Sequence, residues 1–197
     1  MMLKSFAAAL MGLMMVALAP KAATAQGPLD LENTLYMQIP YGRVVIEMRP
    51  DLAPNHVERI KTLVRKKFYD GVPFHRVIRG FMAQTGDPTG TGMGGSGRNI
   101  DAEFSDTLHV RGTVSMARSG DPDSADSQFF ICFERASHLN GQYTVWGKVV
   151  DGMNLVDKIK KSHRRDGQVE EPDRVIAIRV AADVENGTEE LPTDYYQ

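Results

Sequence analysis

The amino-acid sequence predicts a mostly β fold, either a closed antiparallel barrel or a sandwich, with two helices packed against the sheet. Short runs in which apolar and polar residues alternate recur along the chain, and glycine- and proline-containing turns separate them. Only two stretches show the helical spacing of apolar residues. Seven or eight short strands at such close spacing favour antiparallel neighbours over parallel strands joined by helices.

The first elements are a strand hairpin and a helix. Alternating apolar residues predict strands at 35–39 and 44–48, with a turn at Pro40-Tyr41-Gly42. Apolar residues at helical spacing then predict a helix over 52–67, with Pro54 in its first turn, where proline is tolerated. His56 is expected on the surface of this helix.

The remaining elements follow from the same reasoning. A hairpin is predicted at 74–85, split at Gly80, and a second helix at 153–161; further strands are predicted at 112–116, 127–133, 143–150 and 176–180. Both faces of the strand at 127–133 carry aromatic residues. We therefore expect one face of this strand to lie against the core and the other against a ligand or another element.

Residues 1–25 have the features of a signal sequence. Lys4 supplies positive charge, an uncharged apolar run extends from Phe6 to Ala19, and Ala23-Thr24-Ala25 fits a cleavage site. The run is too short to span a bilayer comfortably. A buried N-terminal helix is the alternative, but such a helix would show a polar face. We predict cleavage after Ala25, a polar lead-in at 26–31, one domain at 32–184 and a polar, flexible tail at 185–197.

Charge and cysteine content narrow the class of protein. The formal net charge is −2, and removal of residues 1–25 takes away two lysines and no acidic residue. A mildly acidic protein without a basic stripe is a poor candidate for nucleic-acid binding. Cys132 is the only cysteine, and export without an intrachain disulfide is compatible with a bacterial periplasm. The histidines are scattered without ligand spacing, so no metal site is predicted.

The loop over residues 86–97 is rich in glycine. Gly90, Gly92 and Gly95 formally match a dinucleotide-binding fingerprint. That fingerprint requires a helix directly after the glycines, and residues 98–101 show no apolar helical stripe. The loop also lacks the Gly-Lys-Ser/Thr ending of a phosphate-binding loop. A surface loop with several tight turns is the simpler interpretation.

The stretch from Phe74 to Asp87 has the composition of a binding surface. Arg76 is interleaved with aromatic, aliphatic and thioether side chains. An arginine beside exposed Phe81 and Met82 could hold an apolar group and place a positive charge next to it. Taken alone, Arg76 is more typical of a surface ion pair, and apolar residues further along the chain such as Phe130 are more typical of a core.

Several motifs in order along the chain resemble those of the cyclophilins, over about residues 32–182. They are Phe74-His75-Arg76-Val77-Ile78, Gly80-Phe81-Met82-Ala83-Gln84, Gly112-Thr113-Val114-Ser115-Met116-Ala117, Ser127-Gln128-Phe129-Phe130-Ile131, Leu139-Asn140-Gly141 and Val145-Trp146-Gly147-Lys148-Val149. The resemblance implies a closed eight-stranded antiparallel barrel capped by two α-helices. It also implies peptidyl-prolyl cis-trans isomerase activity with no cofactor. The export signal makes the chain similar to the bacterial periplasmic branch.

The resemblance also assigns roles to individual residues. Arg76 matches the catalytic arginine of the family, and Gln84 and Gln128 match the groups that orient the substrate backbone. Ala117 and Arg118 match a strip that acts through backbone groups, and Arg118 stands where asparagine is common. The matches to the walls of the proline pocket are Phe81, Met82, Phe130 and Leu139, to which Tyr143 could add.

Two positions depart from the eukaryotic pattern. His138 stands where many members have tryptophan, and Tyr143 where many have histidine. Because that tryptophan contacts cyclosporin in many members, we expect weak binding of the drug. The expected partners are proline-containing peptides and unfolded exported proteins, bound by a monomer without nucleic acid or membrane.

Two other functions compete with that of a periplasmic prolyl isomerase. The first is a non-catalytic chaperone or binding module for proline-containing segments, which would use the same apolar groove but would not require Arg76. The second is a serine hydrolase. Ser115, Ser119, Ser124 and Ser127 lie near His138 in sequence, but no Gly-x-Ser-x-Gly elbow is present. His75 is expected to make structural hydrogen bonds, because isomerisation requires no proton transfer.

Overall fold

The computed structural model describes residues 29–192. Eight antiparallel strands form one strongly curled sheet. The strands are β1 (Thr34–Ile39), β2 (Gly42–Met48), β3 (Arg76–Ile78), β4 (Met82–Thr85), β5 (Thr113–Met116), β6 (Phe129–Cys132), β7 (Val145–Asp151) and β8 (Ala177–Val180). The helices are α1 (Pro54–Arg65), α2 (Met153–Val156) and α3 (Ala181–Glu185), and single turns of 3-10 helix occur at Leu31–Asn33, Pro122–Ser124 and Ser137–Leu139. The predicted strands are all present.

The sheet is open, so the predicted closed barrel is wrong. The strand order is β3-β4-β6-β5-β7-β2-β1-β8, which leaves β3 and β8 as edges. The chain between α2 and β8 lies along β3 without forming a strand. Val77 N donates to Gly167 O at 2.8 Å, and Val169 N donates to His75 O at 3.0 Å. These bonds satisfy edge groups of β3 through a loop, so β3 and β8 do not form a ladder with each other.

Helix α1 packs its apolar stripe on the sheet. Val57, Ile60, Leu63 and Val64 are buried, as the helical spacing predicts. His56 is buried as well, which corrects its expected place on the surface. The reason lies outside the helix.

The N-terminus of α1 receives its cap from a distant loop. No side chain at Ala53 caps the helix. Instead the Glu103 carboxylate accepts hydrogen bonds from Asn55 N at 3.1 Å and His56 N at 3.0 Å, and it lies 2.6 Å from His56 Nδ1. An acidic group at this end also favours the helix dipole. Glu103 therefore draws the imidazole inward.

The core divides at β6, as the two aromatic faces of that strand predict. Phe129, Ile131 and Phe133 belong to the main core, where the Phe129 ring contacts Tyr69 and Trp146 edge-on at 5.6 and 5.4 Å between centroids. The opposite face, with Phe130 and Cys132, packs in a separate apolar cluster. One strand therefore supports both the core and a second apolar surface.

Helix α2 is shorter than predicted. It ends at Val156, and the chain continues through turns in which Lys158 N donates to Leu155 O and Ile159 N to Val156 O. Val156 and Ile159 are both buried, so the apolar spacing correctly marks the inner face. The regular helix stops because Lys160 N donates to the Asp173 carboxylate at 2.8 Å, which turns the chain toward β3.

The segment after β8 contacts the outside of the sheet. Tyr36 Oη donates to Glu185 at 2.9 Å, Glu189 pairs with Lys67 at 3.0 Å, and Leu191 packs with Tyr36 and Val45. These contacts include the first residues of the predicted tail. The predicted signal sequence and its cleavage site lie outside the described residues, as do residues 193–197. Among residues 29–192, no helix combines the length and apolar character needed to cross a bilayer.

Candidate active site

Strand pairing brings distant motifs into one row across the sheet. Arg76 on β3 lies opposite Gln84 on β4, and Gln84 lies opposite Phe130 on β6. Ser115 on β5 continues the row next to Phe130. Because paired residues in antiparallel strands project to the same face, the guanidinium, the amide and the phenyl ring stand side by side.

This row forms part of a cavity of about 570 Å³. All the residues predicted for the site line it except Gln128, which lies behind Gln84. The predicted residues that line the cavity are Arg76, Phe81, Met82, Gln84, Ala117, Arg118, Phe130, His138, Leu139 and Tyr143. The sequence motifs thus meet in one place, although these residues come from three strands and three connecting segments.

The apolar side of the cavity is a packed cluster. Met82, Phe130, Cys132, Ala136 and Leu139 are buried in it, and the partly buried side chains of Ile78, Phe81, Ala117 and Tyr143 lie against them. Cys132 is fully buried, and burial raises the pKa of its thiol to about 12. The thiol therefore fills space beneath the cavity and carries no charge near neutral pH.

The far end of the cavity is closed by aromatic rings and Arg118. The Phe81 and His138 rings lie 5.3 Å apart, and Tyr143 meets Phe130 edge-on at 6.0 Å. The Arg118 guanidinium stands 4.6 Å from the Tyr143 centroid and donates to Gln142 O at 2.9 Å. The resemblance assigns a role only to the backbone of Arg118, but its side chain connects two walls of the groove.

Arg76 is held from two sides by neutral acceptors. Its Nε donates to Asp166 O at 3.0 Å, and its NH1 donates to Gln84 Oε1 at 3.3 Å. Among the described residues, no carboxylate forms an ion pair with Arg76 within 4.0 Å. The guanidinium is therefore oriented without being neutralised, and its charge is available to a ligand in the cavity.

The two glutamines connect Arg76 to the glycine-rich loop. Gln84 Nε2 donates to Gln128 Oε1 at 2.9 Å, and Gln128 Nε2 donates to Gly92 O at 3.0 Å and Gly94 O at 2.8 Å. The resemblance to the cyclophilins assigns both glutamines to orienting the substrate backbone, which stays a prediction. In the structure Gln128 makes these internal bonds. No helix follows the glycines, since the next regular element is β5.

Four residues that line the cavity were missed by sequence reasoning: Thr91, Gly92, Asp166 and Gln168. Gly167 lies between the last two, with φ of +82°, and a Cβ there would lie 2.5 Å from Ile78 Cγ1. Gly167 was the only sequence feature that could have pointed to these cavity-lining residues. Glycine is needed there because the loop contacts β3, and the local sequence does not reveal that contact.

His75 differs from its predicted role. It is buried in the wall of the cavity, and neither ring nitrogen has a hydrogen-bond partner among residues 29–192. The expected structural hydrogen bonds are therefore absent from the imidazole. Burial lowers the pKa of His75, so its ring is neutral near pH 7.

The serines considered for a hydrolase are used structurally. Ser115 is fully buried, with Oγ 3.0 Å from His109 Nε2 and 2.8 Å from Thr144 O. Ser127 is also buried and donates to Gly86 O. Over the described part of the chain, none of the four serines forms a hydrogen bond with His138. Within residues 29–192, no cluster of three or more metal-ligating side chains was found.

The geometry defines a groove whose apolar wall suits a small ring, beside a fixed and uncompensated guanidinium. Comparison with known proteins identifies the family. The model of the cyclophilin-type peptidyl-prolyl cis-trans isomerases matches residues 34–180. A Brucella suis protein named "Probable peptidyl-prolyl cis-trans isomerase" is 51% identical over 181 residues, covering 85% of this chain and 92% of the relative. A Helicobacter pylori peptidyl-prolyl cis-trans isomerase is 43% identical over 138 residues, covering 67% and 84%.

Solved structures agree with these relatives. Cyclophilin AquaCyp293 from Hirschia baltica superposes with a TM-score of 0.71 at 27% identity, covering 79% of this chain and 76% of that one. A Cryptosporidium parvum cyclophilin crystallised in the presence of the dipeptide Ala-Pro superposes with a TM-score of 0.68 at 29% identity, covering 75% and 98%. The chain belongs to the cyclophilin family and is a peptidyl-prolyl cis-trans isomerase.

Proposed function

We propose that Arg76 catalyses the isomerisation by donating a hydrogen bond to the proline nitrogen of a substrate seated in the apolar pocket. The observation that supports this is the placement of the Arg76 guanidinium. Asp166 O and Gln84 Oε1 hold it from two sides, and it lines the same cavity as Phe81, Met82 and Phe130.

The reaction requires a hydrogen-bond donor that interacts with the proline nitrogen mainly in the transition state. Rotation about the X–Pro bond must break amide resonance, whose barrier is about 18–20 kcal/mol. At the twisted transition state the proline nitrogen regains a lone pair, which it lacks in the planar ground state. A donor directed at this nitrogen is bound more strongly in the transition state, and that difference lowers the barrier. Arg76 suits this role because its guanidinium stays charged and offers several donors in a rigid fork.

The apolar pocket supplies the second requirement. The proline ring must stay in place while the rest of the peptide turns about the X–Pro bond. Met82 and Phe130 are almost fully buried and cannot move aside easily, and Phe81 and Leu139 extend the apolar surface. Exclusion of water by these side chains also strengthens the field of the guanidinium. Because no covalent bond forms or breaks, the reaction requires no nucleophile.

The substitution Arg76→Ala tests the mechanism. We expect kcat/KM for a proline-containing peptide to fall by at least about tenfold, or about 1.4 kcal/mol of transition-state stabilisation. The measurement is a coupled assay of cis-trans isomerisation, with circular dichroism to establish that the variant is folded. Arg79→Ala is the matched control, because Arg79 is an exposed arginine three residues away. An unchanged rate in Arg76→Ala would contradict the mechanism. If that variant also protected unfolded clients normally, the chaperone function would be favoured.

We further propose that the protein acts on exported proteins in the periplasm. The support is the apolar run of residues 6–19 followed by Ala23-Thr24-Ala25. Expression of the full chain in a bacterium, followed by fractionation and N-terminal sequencing, tests this proposal. A periplasmic product that begins at Gln26 is expected, whereas an uncleaved cytoplasmic product would contradict it. The same material should elute as a monomer in size-exclusion chromatography and should bind cyclosporin weakly.

A further inference from the structure

A directed chain of hydrogen bonds runs from the Arg76 guanidinium to the carboxylate of Asp87. Arg76 NH1 donates to Gln84 Oε1, Gln84 Nε2 donates to Gln128 Oε1, and Gln128 Nε2 donates to Gly92 O and Gly94 O. The same two glycines connect it to Asp87 through their N–H groups, which lie in the preceding peptide planes and donate to Asp87 Oδ2 at 2.6 and 3.1 Å. Every donor in the chain therefore points away from the cation and toward the anion.

The two ends of the chain fix the orientation of both glutamines. A glutamine side chain presents donors at one end of its amide and an acceptor at the other. The carbonyls of Gly92 and Gly94 require the Nε2 group of Gln128, which leaves its Oε1 for Gln84. Gln84 must then present its own Oε1 to Arg76, which only donates. Arg76 at one end and the loop carbonyls at the other thus require the same orientation of the two amides. If the loop presented an N–H group to Gln128 in place of a carbonyl, both amides would turn over, and Gln84 would place its NH2 group against the guanidinium.

Asp87 fixes the loop that sets this direction. Its carboxylate is fully buried and also accepts hydrogen bonds from Thr89 N and Thr89 Oγ1, both at 2.7 Å. A side chain at residue 94 would collide with the Asp87 carboxylate, so glycine is required there. Asp87 lies outside the lining of the substrate cavity. Asp87 is connected to Arg76 through the loop and the two glutamines.

We propose that Asp87 is a positioning residue for catalysis, acting through the glycine-rich loop, Gln128 and Gln84 to orient the guanidinium of Arg76. The carboxylate fixes the backbone N–H groups of Gly92 and Gly94 and with them the course of the loop, the carbonyls of the same glycines hold Gln128, and the two amides align Arg76. The inference rests on the proposed role of Arg76 as the donor to the proline nitrogen. The glycine-rich loop would then contribute to the rate of isomerisation.

A double-mutant cycle between Asp87→Asn and Arg76→Ala tests the proposal. In the parent, we expect Asp87→Asn to lower kcat by about tenfold with little change in KM, because a misplaced donor weakens only the transition state. In the Arg76→Ala background the same substitution should change the rate by less than about twofold. Equal losses in the two backgrounds would show that Asp87 acts only on the fold, and would overturn the proposal.

Two further variants keep the test decisive. Gly94→Ala displaces the loop from Asp87 without removing the carboxylate, and it enters the same cycle if Asp87→Asn fails to fold. Asp126→Asn is the control, because Asp126 accepts from Ser96 N and Gly97 N in the same loop but is outside the chain to Arg76. It should destabilise the loop and leave kcat within about twofold of the parent. A loss in Asp126→Asn as large as in Asp87→Asn would also overturn the proposal.

The cycle separates this inference from the mechanism on which it rests. If Arg76→Ala alone left the rate unchanged, the arginine mechanism would fail, and the positioning role with it. If Arg76→Ala lowered the rate but Asp87→Asn lowered it equally in both backgrounds, only the positioning role would fail.

Discussion

The substitution Gly167→Ala should reduce both stability and activity, because this glycine lets the loop before β8 pack against the catalytic strand. Gly167 has φ of +82°, and Ala in this region costs about 1–2 kcal/mol. The new Cβ would also lie 2.5 Å from Ile78 Cγ1 and 3.2 Å from Arg76 Cγ. Such an overlap costs about a further 1–3 kcal/mol. We therefore expect the free energy of unfolding to fall by about 2–5 kcal/mol.

The same change should slow isomerisation, because the loop carries an acceptor for Arg76. Asp166 O, which precedes Gly167, accepts from Arg76 Nε at 3.0 Å. A shift of the loop by about 1 Å would misalign the donor fork, and displacements of that size can reduce rates by up to about a hundredfold. We expect kcat/KM to fall by about tenfold, measured in the coupled peptide assay on protein that urea titration shows to be folded.

Gly71→Ala provides the matched comparison. Gly71 has φ of +75°, and a Cβ there would meet nothing within 4 Å. The variant should lose only about 1–2 kcal/mol and should keep its rate, so the difference between the two variants isolates the overlap with β3. Equal destabilisation by the two substitutions, together with an unchanged rate in Gly167→Ala, would refute this reasoning.

Three other predictions concern pH, drug binding and a helix cap. Burial acts to raise the pKa of Asp87, but hydrogen bonds from Thr89, Gly94 and Gly92 outweigh it and lower the pKa from 3.8 to about 2. A lowered folded-state pKa stabilises the protein above the unfolded-state value, so Asp87→Asn should cost about 2 kcal/mol in urea unfolding at pH 7. The cost should shrink as the pH falls from about 4 to 2, and a pH-independent cost would contradict the argument. His138→Trp should tighten cyclosporin binding by about tenfold or more in an inhibition titration, about 1.4 kcal/mol, whereas unchanged affinity would show that another position limits binding. Glu103→Ala should lower the unfolding free energy by about 1–3 kcal/mol, because it leaves the first backbone donors of α1 and the buried His56 without their acceptor. A loss below about 0.5 kcal/mol would count against the role of Glu103 as a helix cap.

The local sequence pattern was sufficient to predict most of the strands and α1. The alternation in β1 and β2 follows from a sheet with one face in the core, and the stripe containing Val57 and Ile60 follows from a helix packed on one side. The two aromatic faces of β6 correctly indicated a second apolar surface. These features depend on residues close in sequence, which is why periodicity predicts them.

The errors all involve contacts between distant segments. The open edge at β3 depends on backbone bonds to a loop about ninety residues later, and no periodic pattern marks that loop. The place of His56 depends on Glu103, and α2 ends early because of a bond to Asp173. Motifs could identify Gln84 and Gln128, but their mutual orientation depends on where the loop carbonyls point.

The position of β1 between β2 and β8 has a consequence for biosynthesis. Leu35 pairs with Val180 and Tyr36 with Arg179, so the first strand receives its second neighbour from the last one. A chain that folds from its N-terminus therefore leaves one edge of β1 unpaired until β8 is available. Pairings between such distant segments form slowly, and an unpaired edge is a site for association with other chains. Chains whose residues 177–180 have not yet emerged should therefore be the ones that need a holding factor.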